Sequence, residues 1–474
     1  MKSLFPFNKI VNLVNQNKIT CSEIVNSCLE NIDHYKQLNA FVNVYADEAK
    51  HKASEIDKRI VNKNAGKLAG MVVGVKDLFC YKDHPVQASS KILEGFISQI
   101  NATSVDRIVD ADAIIIGHQN CDQFGMGSSN ENSIFGPVRN KLDPKKVSGG
   151  SSGGSAVAVQ SNMCHVSLCT DTGGSSRQPA SFCGIFGLKP TYSRVSRHGV
   201  IAYASSLDTV SILSKDIADC ASVLEVISGA DNYDSTVSHN SVPQYSQFTD
   251  TKRTFKIAYL KEALEHSGLQ QEIRRQTYSK LDSLHKLGHQ IDAVKFPLLE
   301  YVLPTYYILA NVEASSNLAC YDGIRYGYRN SNASTLKEVY FNTRTLGFGW
   351  EVKRRILIGT YLLSEGYSRE LYKKAQKVRR LIKNYISSIF LSYDFIVLPT
   401  TPTTAFVIKD NISDPVLAYL ADLFTVPASI AGIPAISVPN GLDSDGMPIG
   451  LQILANSFEE DKLLSFADYV CKIQ

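Results

Sequence analysis

Two glycine–serine segments carry the clearest chemical signal in the sequence. The first, SGGSSGGSAVAV at 148–159, sets four glycines within six residues, a backbone free to approach a ligand closely. Gly149-Gly150-Ser151-Ser152-Gly153 also fits the G-x-S-x-G pattern of a nucleophile elbow. That elbow needs a strand before it, yet the preceding KLDPKKVS contains a proline. No histidine follows His289 to complete a Ser–His–acid triad. Taken alone, the segment reads equally well as a flexible surface loop, and a phosphate cradle lacks its Gly-Lys-Ser/Thr. The second segment, TDTGGSSRQPAS at 170–181, shifts that balance. Apolar HVSLC (165–169) feeds into it, and a strand entering a Gly-Gly-Ser turn can aim several backbone N–H groups at one point. Either Ser175 or Ser176 could act as a nucleophile there. Without a histidine, a lysine of depressed pKa can serve as base. Lys76, closing the apolar run MVVGVK, is placed for that role; the plainer reading is a solvated strand terminus.

Those side chains need elements to hold them. Residues 1–60 read as helix, with Ile10, Leu13 and Val14, then Ile24, Cys28 and Ile32, at helical spacing. Short apolar runs at 68–75, 113–117 and 164–169 read as buried strands, so the chain alternates helix and strand in an α/β pattern. A polar connection at 231–254 precedes a strand–helix–strand excursion through 255–296. Residues 349–390 read as amphipathic helix, and 394–400, 435–439 and 450–454 as strands returning to the sheet.

Composition narrows the class. In 474 residues, 44% hydrophobic and 20% charged, there is enough apolar content for a substantial core. A net charge of +3 is too mild to argue for nucleic-acid binding by this chain alone. The ten cysteines form no C-x-x-C pair, which reads as reduced thiols in a cytoplasmic protein without a zinc site. The start MKSLFPFNKIVNLVNQNKIT lacks a signal-peptide core, and no run of ~18 apolar residues would span a membrane.

Lys76 in GVKD, Ser151 in GGSSGGSA and Ser175 in DTGGSSRQPA together resemble the amidase signature family, whose members use a Ser–cis-Ser–Lys triad. The resemblance implies Ser175 as nucleophile, Ser151 as the bridging serine on a cis peptide bond, and Lys76 as a neutral base. It implies an oxyanion hole from the N–H groups of Thr172, Gly173 and Gly174 with that of Ser175, and support of the turn by Asp171 and Arg177. The implied fold is α/β, a mixed central sheet covered by helices on both faces. It forms one domain over 1–474, with a helical segment at 1–60 and an embedded βαβ excursion at about 231–300. The chain departs from the family's usual pattern at three places: Ser148 for proline, Ser176 for a branched apolar residue, and Cys121-Asp-Gln-Phe124 for Met-Asp-Glu-Phe.

Within the family, GMGSSNENSIFGPVRN (125–140), KPTYSRVSRHGVIAYASSLD (189–208), EASSNLACYDGIRYGYR (313–329) and residues 351–383 are similar to the glutaminase subunits of tRNA-dependent amidotransferases. That resemblance implies hydrolysis of glutamine to supply ammonia for converting misacylated Glu-tRNA(Gln) to Gln-tRNA(Gln). It implies a heterotrimer with B and C subunits, tRNA held mainly by the B subunit, ATP and Mg²⁺ used there, and no cofactor in this chain. A free amino acid must be held by both charged ends, and an arginine fork suits a carboxylate. By resemblance, Arg355 takes the α-carboxylate and Asp422 the α-ammonium, with Tyr306 lining the pocket. The plainer readings are a helix-surface ion pair for Arg355 and a helix-capping or solvated acid for Asp422. The alternative function is a stand-alone amidase of small or aryl amides. The basic run from Lys353 to Lys383, interrupted by Glu365 and Glu370, reads as a solvated helix face or subunit interface.

Overall fold

Apolar runs in the sequence become strands of one sheet. The structure is a computed structural model that describes residues 6–16, 18–248, 254–364, 367–409 and 420–473. Residues 1–5 of the helical N-terminal segment, 249–253 of the polar connection, and Glu365 lie outside the described residues. The strands are β1 (Phe41–Val44), β2 (Val72–Lys76), β3 (Ile114–Gln119), β4 (Val166–Asp171), β5 (Phe186–Lys189) and β6 (Thr209–Ser214), followed by β7 (Lys256–Leu260), β8 (Gln290–Val294), β9 (Phe395–Pro399), β10 (Ala435–Leu442) and β11 (Pro448–Leu454). They lie in the order β1-β3-β2-β4-β6-β5-β10-β11-β9-β7-β8. The sheet is mixed: β3, β2 and β4 run parallel, as do β9, β7 and β8, while the remaining pairs are antiparallel. Successive strand side chains point to opposite faces. Every residue of β2, β3, β4, β6, β9 and β11 is buried, so both faces of the sheet's middle are covered.

One stretch differs from the sequence reading. Within 1–60, helices Phe7–Asn15, Cys21–His34 and Ala46–Val61 are separated by β1, a half-exposed edge strand antiparallel to β3. The excursion at 255–296 forms β7, the helix Gln271–Lys286 and β8, and both strands extend the main sheet at its far end. Residues 349–390 form two helices, Trp350–Leu363 and Tyr367–Ile389. The first opens on the chain's single tryptophan, 74% exposed. Among the described residues, no helix is long and apolar enough to cross a membrane.

This topology positions the chemistry. β2 and β4 are parallel neighbours, with Val75 paired to Leu168, so their carboxyl ends deliver Lys76 and the turn after Asp171 to one edge of the sheet. Carboxyl ends of parallel strands are where open α/β sheets bind ligands.

Candidate active site

Lys76 is wholly buried at the end of β2, not a solvated terminus. Its Nζ lies 2.7 Å from Ser151 Oγ, 2.9 Å from Ser152 Oγ and 3.0 Å from Thr170 Oγ1. Burial lowers its pKa from 10.5 by stripping hydration from the ammonium, against the pull of Asp122 and Asp171 nearby. The Ser152 hydroxyl donates to the Thr170 carbonyl at 3.3 Å, so its oxygen meets Lys76 as an acceptor. A neutral amine has a single lone pair, and the hydroxyls left to donate to it are those of Ser151 and Thr170.

Ser151 stands in the loop before the helix Gly153–Gln160, and its peptide bond to Gly150 is cis. The loop is held from both sides. Gly150 N–H donates to Gln178 Oε1 at 2.7 Å, and Asp122 N–H donates to the Ser151 carbonyl at 3.1 Å. The Asp122 carboxylate accepts N–H bonds from Asn130 (2.9 Å) and Asn132 (3.0 Å), and burial pushes its pKa up to about 7.

β4 ends at Asp171 and the helix Arg177–Cys183 begins just after the turn. The Asp171 carboxylate accepts the Ser176 hydroxyl at 2.7 Å and N–H at 3.2 Å, and Arg177 through Nε (3.0 Å) and Nη2 (2.8 Å). Burial alone would raise its pKa; the Arg177 guanidinium overrides that and holds the carboxyl well below the usual range. Arg177 in turn donates to the Thr425 carbonyl, Gln452 and Ser429. The N–H groups of Thr172, Gly173, Gly174 and Ser175 make no hydrogen bond among the described residues. Four adjacent unpaired donors are unusual in a buried segment, and such a set can hold an oxyanion. Their neighbours fix the turn: Thr172 Oγ1 donates to Asp208 at 2.7 Å, and Thr425 Oγ1 donates to the Gly173 carbonyl at 2.7 Å. A Cβ on Gly173 would come within 2.5 Å of the Tyr306 ring. Gly174, at φ +147°, has Thr425 Oγ1 only 2.2 Å from where its Cβ would be. Ser175 is 8% exposed, and its Oγ has no partner among the described residues. Its carbonyl accepts Ser152 N–H at 3.2 Å, which stitches the two serine loops together.

Beside this turn stand the two charged residues. Arg355, on the helix Trp350–Leu363, is buried; Nε donates to Glu351 at 2.7 Å and Nη1 to Tyr203 Oη at 2.6 Å. The helical ion pair of the plainer reading is therefore present, but inside the protein. Asp422 is buried too, and Oδ2 accepts Ser128 Oγ at 2.7 Å and Tyr307 Oη at 3.2 Å. Burial raises its pKa to about 6. Tyr306 and Tyr307, on the helix Leu299–Asn317, meet edge to face with centroids 5.0 Å apart.

The residues expected from the sequence thus converge. Those it did not single out are Asp122, Ser128, Tyr203, Tyr307, Glu351 and Thr425, each a polar group that completes another's hydrogen bonds. Ser128 and Tyr203 lie inside quoted motifs, but nothing in a single sequence marks them as facing the site. The departures find places as well. Ser176 binds Asp171, Ser148 Oγ donates to the Gly149 carbonyl at 3.0 Å, and buried Cys121 donates its N–H to Ser89 Oγ at 3.1 Å.

A wholly buried lysine on a cis serine, beside a serine turn with unpaired N–H groups, is the arrangement of a serine amide hydrolase that works without histidine. The chain belongs to the Amidase family, whose model matches residues 23–464. It is 47% identical over 453 residues to the glutamyl-tRNA(Gln) amidotransferase A subunit of Prosthecochloris aestuarii, with 95% of each chain covered. It is 44% identical over 467 residues to the A subunit of the same name from Prochlorococcus marinus, covering 98% of this chain and 96% of that one. The crystal structure of the glutamyl-tRNA(Gln) amidotransferase A subunit from Thermotoga maritima matches with a TM-score of 0.76 at 36% identity, over 94% of this chain and 93% of that one.

Proposed function

We propose that this chain is the glutamine-hydrolysing subunit of a glutamyl-tRNA(Gln) amidotransferase. The observation that carries the reading is 47% identity across 95% of both chains to an A subunit of that enzyme. Glutamine binds with its α-carboxylate on Arg355, its α-ammonium on Asp422 and its side-chain amide over Ser175, with Tyr306 lining the pocket. The Ser175 hydroxyl proton passes to Ser151 as Ser151 gives its own to Lys76, and Ser175 Oγ bonds to the amide carbon. The N–H groups of Thr172, Gly173, Gly174 and Ser175 hold the oxyanion. The proton returns along the same relay to the leaving nitrogen, the C–N bond breaks, and ammonia departs from a γ-glutamyl ester on Ser175. Water, activated by the same relay, then releases glutamate and restores the serine.

The ammonia serves a B subunit, where ATP and Mg²⁺ activate glutamyl-tRNA(Gln), with a small C subunit completing the complex. A reaction on charged tRNA sets the work in the cytoplasm or an organelle that translates. Buried Arg355 and Asp422 favour this substrate over the neutral aryl amides of a stand-alone amidase, for which two desolvated charges would be a burden. Ser175→Ala tests the reading: glutamine hydrolysis is abolished while transamidation of Glu-tRNA(Gln) with added ammonia by the assembled complex survives. Persistent glutamine hydrolysis, or loss of the ammonia-driven reaction, would overturn it.

A further inference from the structure

Among the described residues, Asp422 and Arg355 each keep one polar atom without a partner, and one side chain touches both. Asp422 uses Oδ2 for the hydroxyls of Ser128 (2.7 Å) and Tyr307 (3.2 Å), while Oδ1 has no partner among the described residues. Arg355 uses Nε for Glu351 and Nη1 for Tyr203, while Nη2 has no partner among the described residues. Tyr307 donates to the carboxylate and also packs its ring against the guanidinium, centroid to Cζ 5.7 Å. With one carboxylate oxygen anchored by two hydroxyls, the other is aimed by the planarity of the group. The aromatic face likewise restrains the arginine fork through a cation–π contact, together with the Tyr203 ring at 5.5 Å. Tyr307 also meets Tyr306, whose ring lies where a Cβ on Gly173 would be, so the setting is referenced to the nucleophile turn.

We propose that Tyr307 is a specificity-determining residue: it fixes the separation and aim of Asp422 Oδ1 and Arg355 Nη2, so that the pocket prefers an amide carrying both an α-ammonium and an α-carboxylate. The inference rests on the glutamine reading above and adds the residue that makes the two charged ends act together. Sequence inspection points only to its neighbour Tyr306.

The test compares glutamine with glutaramate, which lacks the ammonium, and 4-aminobutanamide, which lacks the carboxylate, as substrates of the assembled complex. In Tyr307→Phe the ring stays and the hydroxyl is lost. KM for glutamine should rise about tenfold, the weight of one hydrogen bond to a charged group, with kcat changed less than about twofold. Turnover of glutaramate, which has no ammonium to place, should be unaltered, so the preference for glutamine over glutaramate falls about tenfold. An equal loss on all three amides would reveal a merely structural residue, and an unchanged preference would overturn the inference outright. Asp422→Asn separates the two levels. If it leaves the glutamine preference intact, the glutamine reading itself fails. If it lowers the preference and Tyr307→Phe does not, only the role of Tyr307 fails.

Discussion

Burial strips the Lys76 ammonium of hydration, and three hydroxyl oxygens within 3.0 Å are what the protein supplies in return. The free base therefore becomes available at a lower pH than for an exposed lysine. As the proposed base of the relay, Lys76 should be worth about 10²–10⁴ in kcat, so Lys76→Met should lose about that factor in a glutaminase assay, with KM little changed. On the proposed glutamine reading, Asp422 supplies a second, separable pH limb. Its pKa of about 6 in the free protein means that the carboxylate needed for an ammonium is lost as pH falls through that value. kcat/KM for glutamine should fall with it, and Asp422→Asn should remove that limb while lowering the plateau. Ser176 answers the question its neighbouring hydroxyl raises. Its hydroxyl donates to Asp171, so it is occupied and does not compete with Ser175 in the proposed relay.

At the scale of elements, the turn between β4 and the helix Arg177–Cys183 is shaped by what presses on it. Gly173→Ala would drive a methyl into the Tyr306 ring at 2.5 Å, so either the ring or the turn must move. Misaiming one oxyanion donor is worth about 10²–10³ in kcat, and stopped-time hydrolysis assays should show a loss of that size. Asp171→Asn leaves Arg177 buried without its counter-charge, and chemical denaturation should show a loss of about 3–5 kcal/mol. In the native protein this contribution is present above the unfolded carboxyl's pKa near 4 and fades as pH falls below it towards the depressed folded value. Legibility in the sequence followed the same physics. β2, β3, β4, β9, β10 and β11 were readable because each contains a short apolar run; β6, TVSILS, is as deeply buried but breaks its apolar residues with Thr and Ser and carries no such run. β1, FVNV, lies at an edge, half exposed, between helices, and leaves no such run. Lys76, Ser151 and Ser175 took their roles from the family resemblance; residue type and setting alone left Lys76 as a solvated strand end and did not choose between Ser175 and Ser176. Tyr307, Ser128 and Glu351 were not singled out, because their meaning lies in contacts such as Ser128 with Asp422, which are set by the fold and not by local pattern.

The molecule as a whole stores protons on buried acids. Burial raises Asp77, Asp122 and Asp219 to about 7, and Asp208 and Asp422 to about 6. Each holds a proton that the unfolded chain has released above about pH 4, so the stability they contribute is in place at low pH and is lost as pH rises through 6–7. His118 and His165, lowered to about 4, Lys189, lowered to about 7, and Lys76, also lowered by burial, act in the opposite sense. The acids are more numerous in this window, so the urea midpoint should be lower at about pH 7.5 than at about pH 5.5. Asp219→Asn, far from the chemistry beside Phe7, should flatten the difference. One surface feature has an optical use. The chain's single tryptophan, Trp350, is 74% exposed at the start of the helix that carries Glu351 and Arg355. All indole fluorescence of the unlabelled protein therefore arises one residue from the arginine's ion-pair partner. Another protein covering that helix, or a ligand that shifts it, registers directly as a change in emission colour and quenching, with no dye introduced and no turnover required.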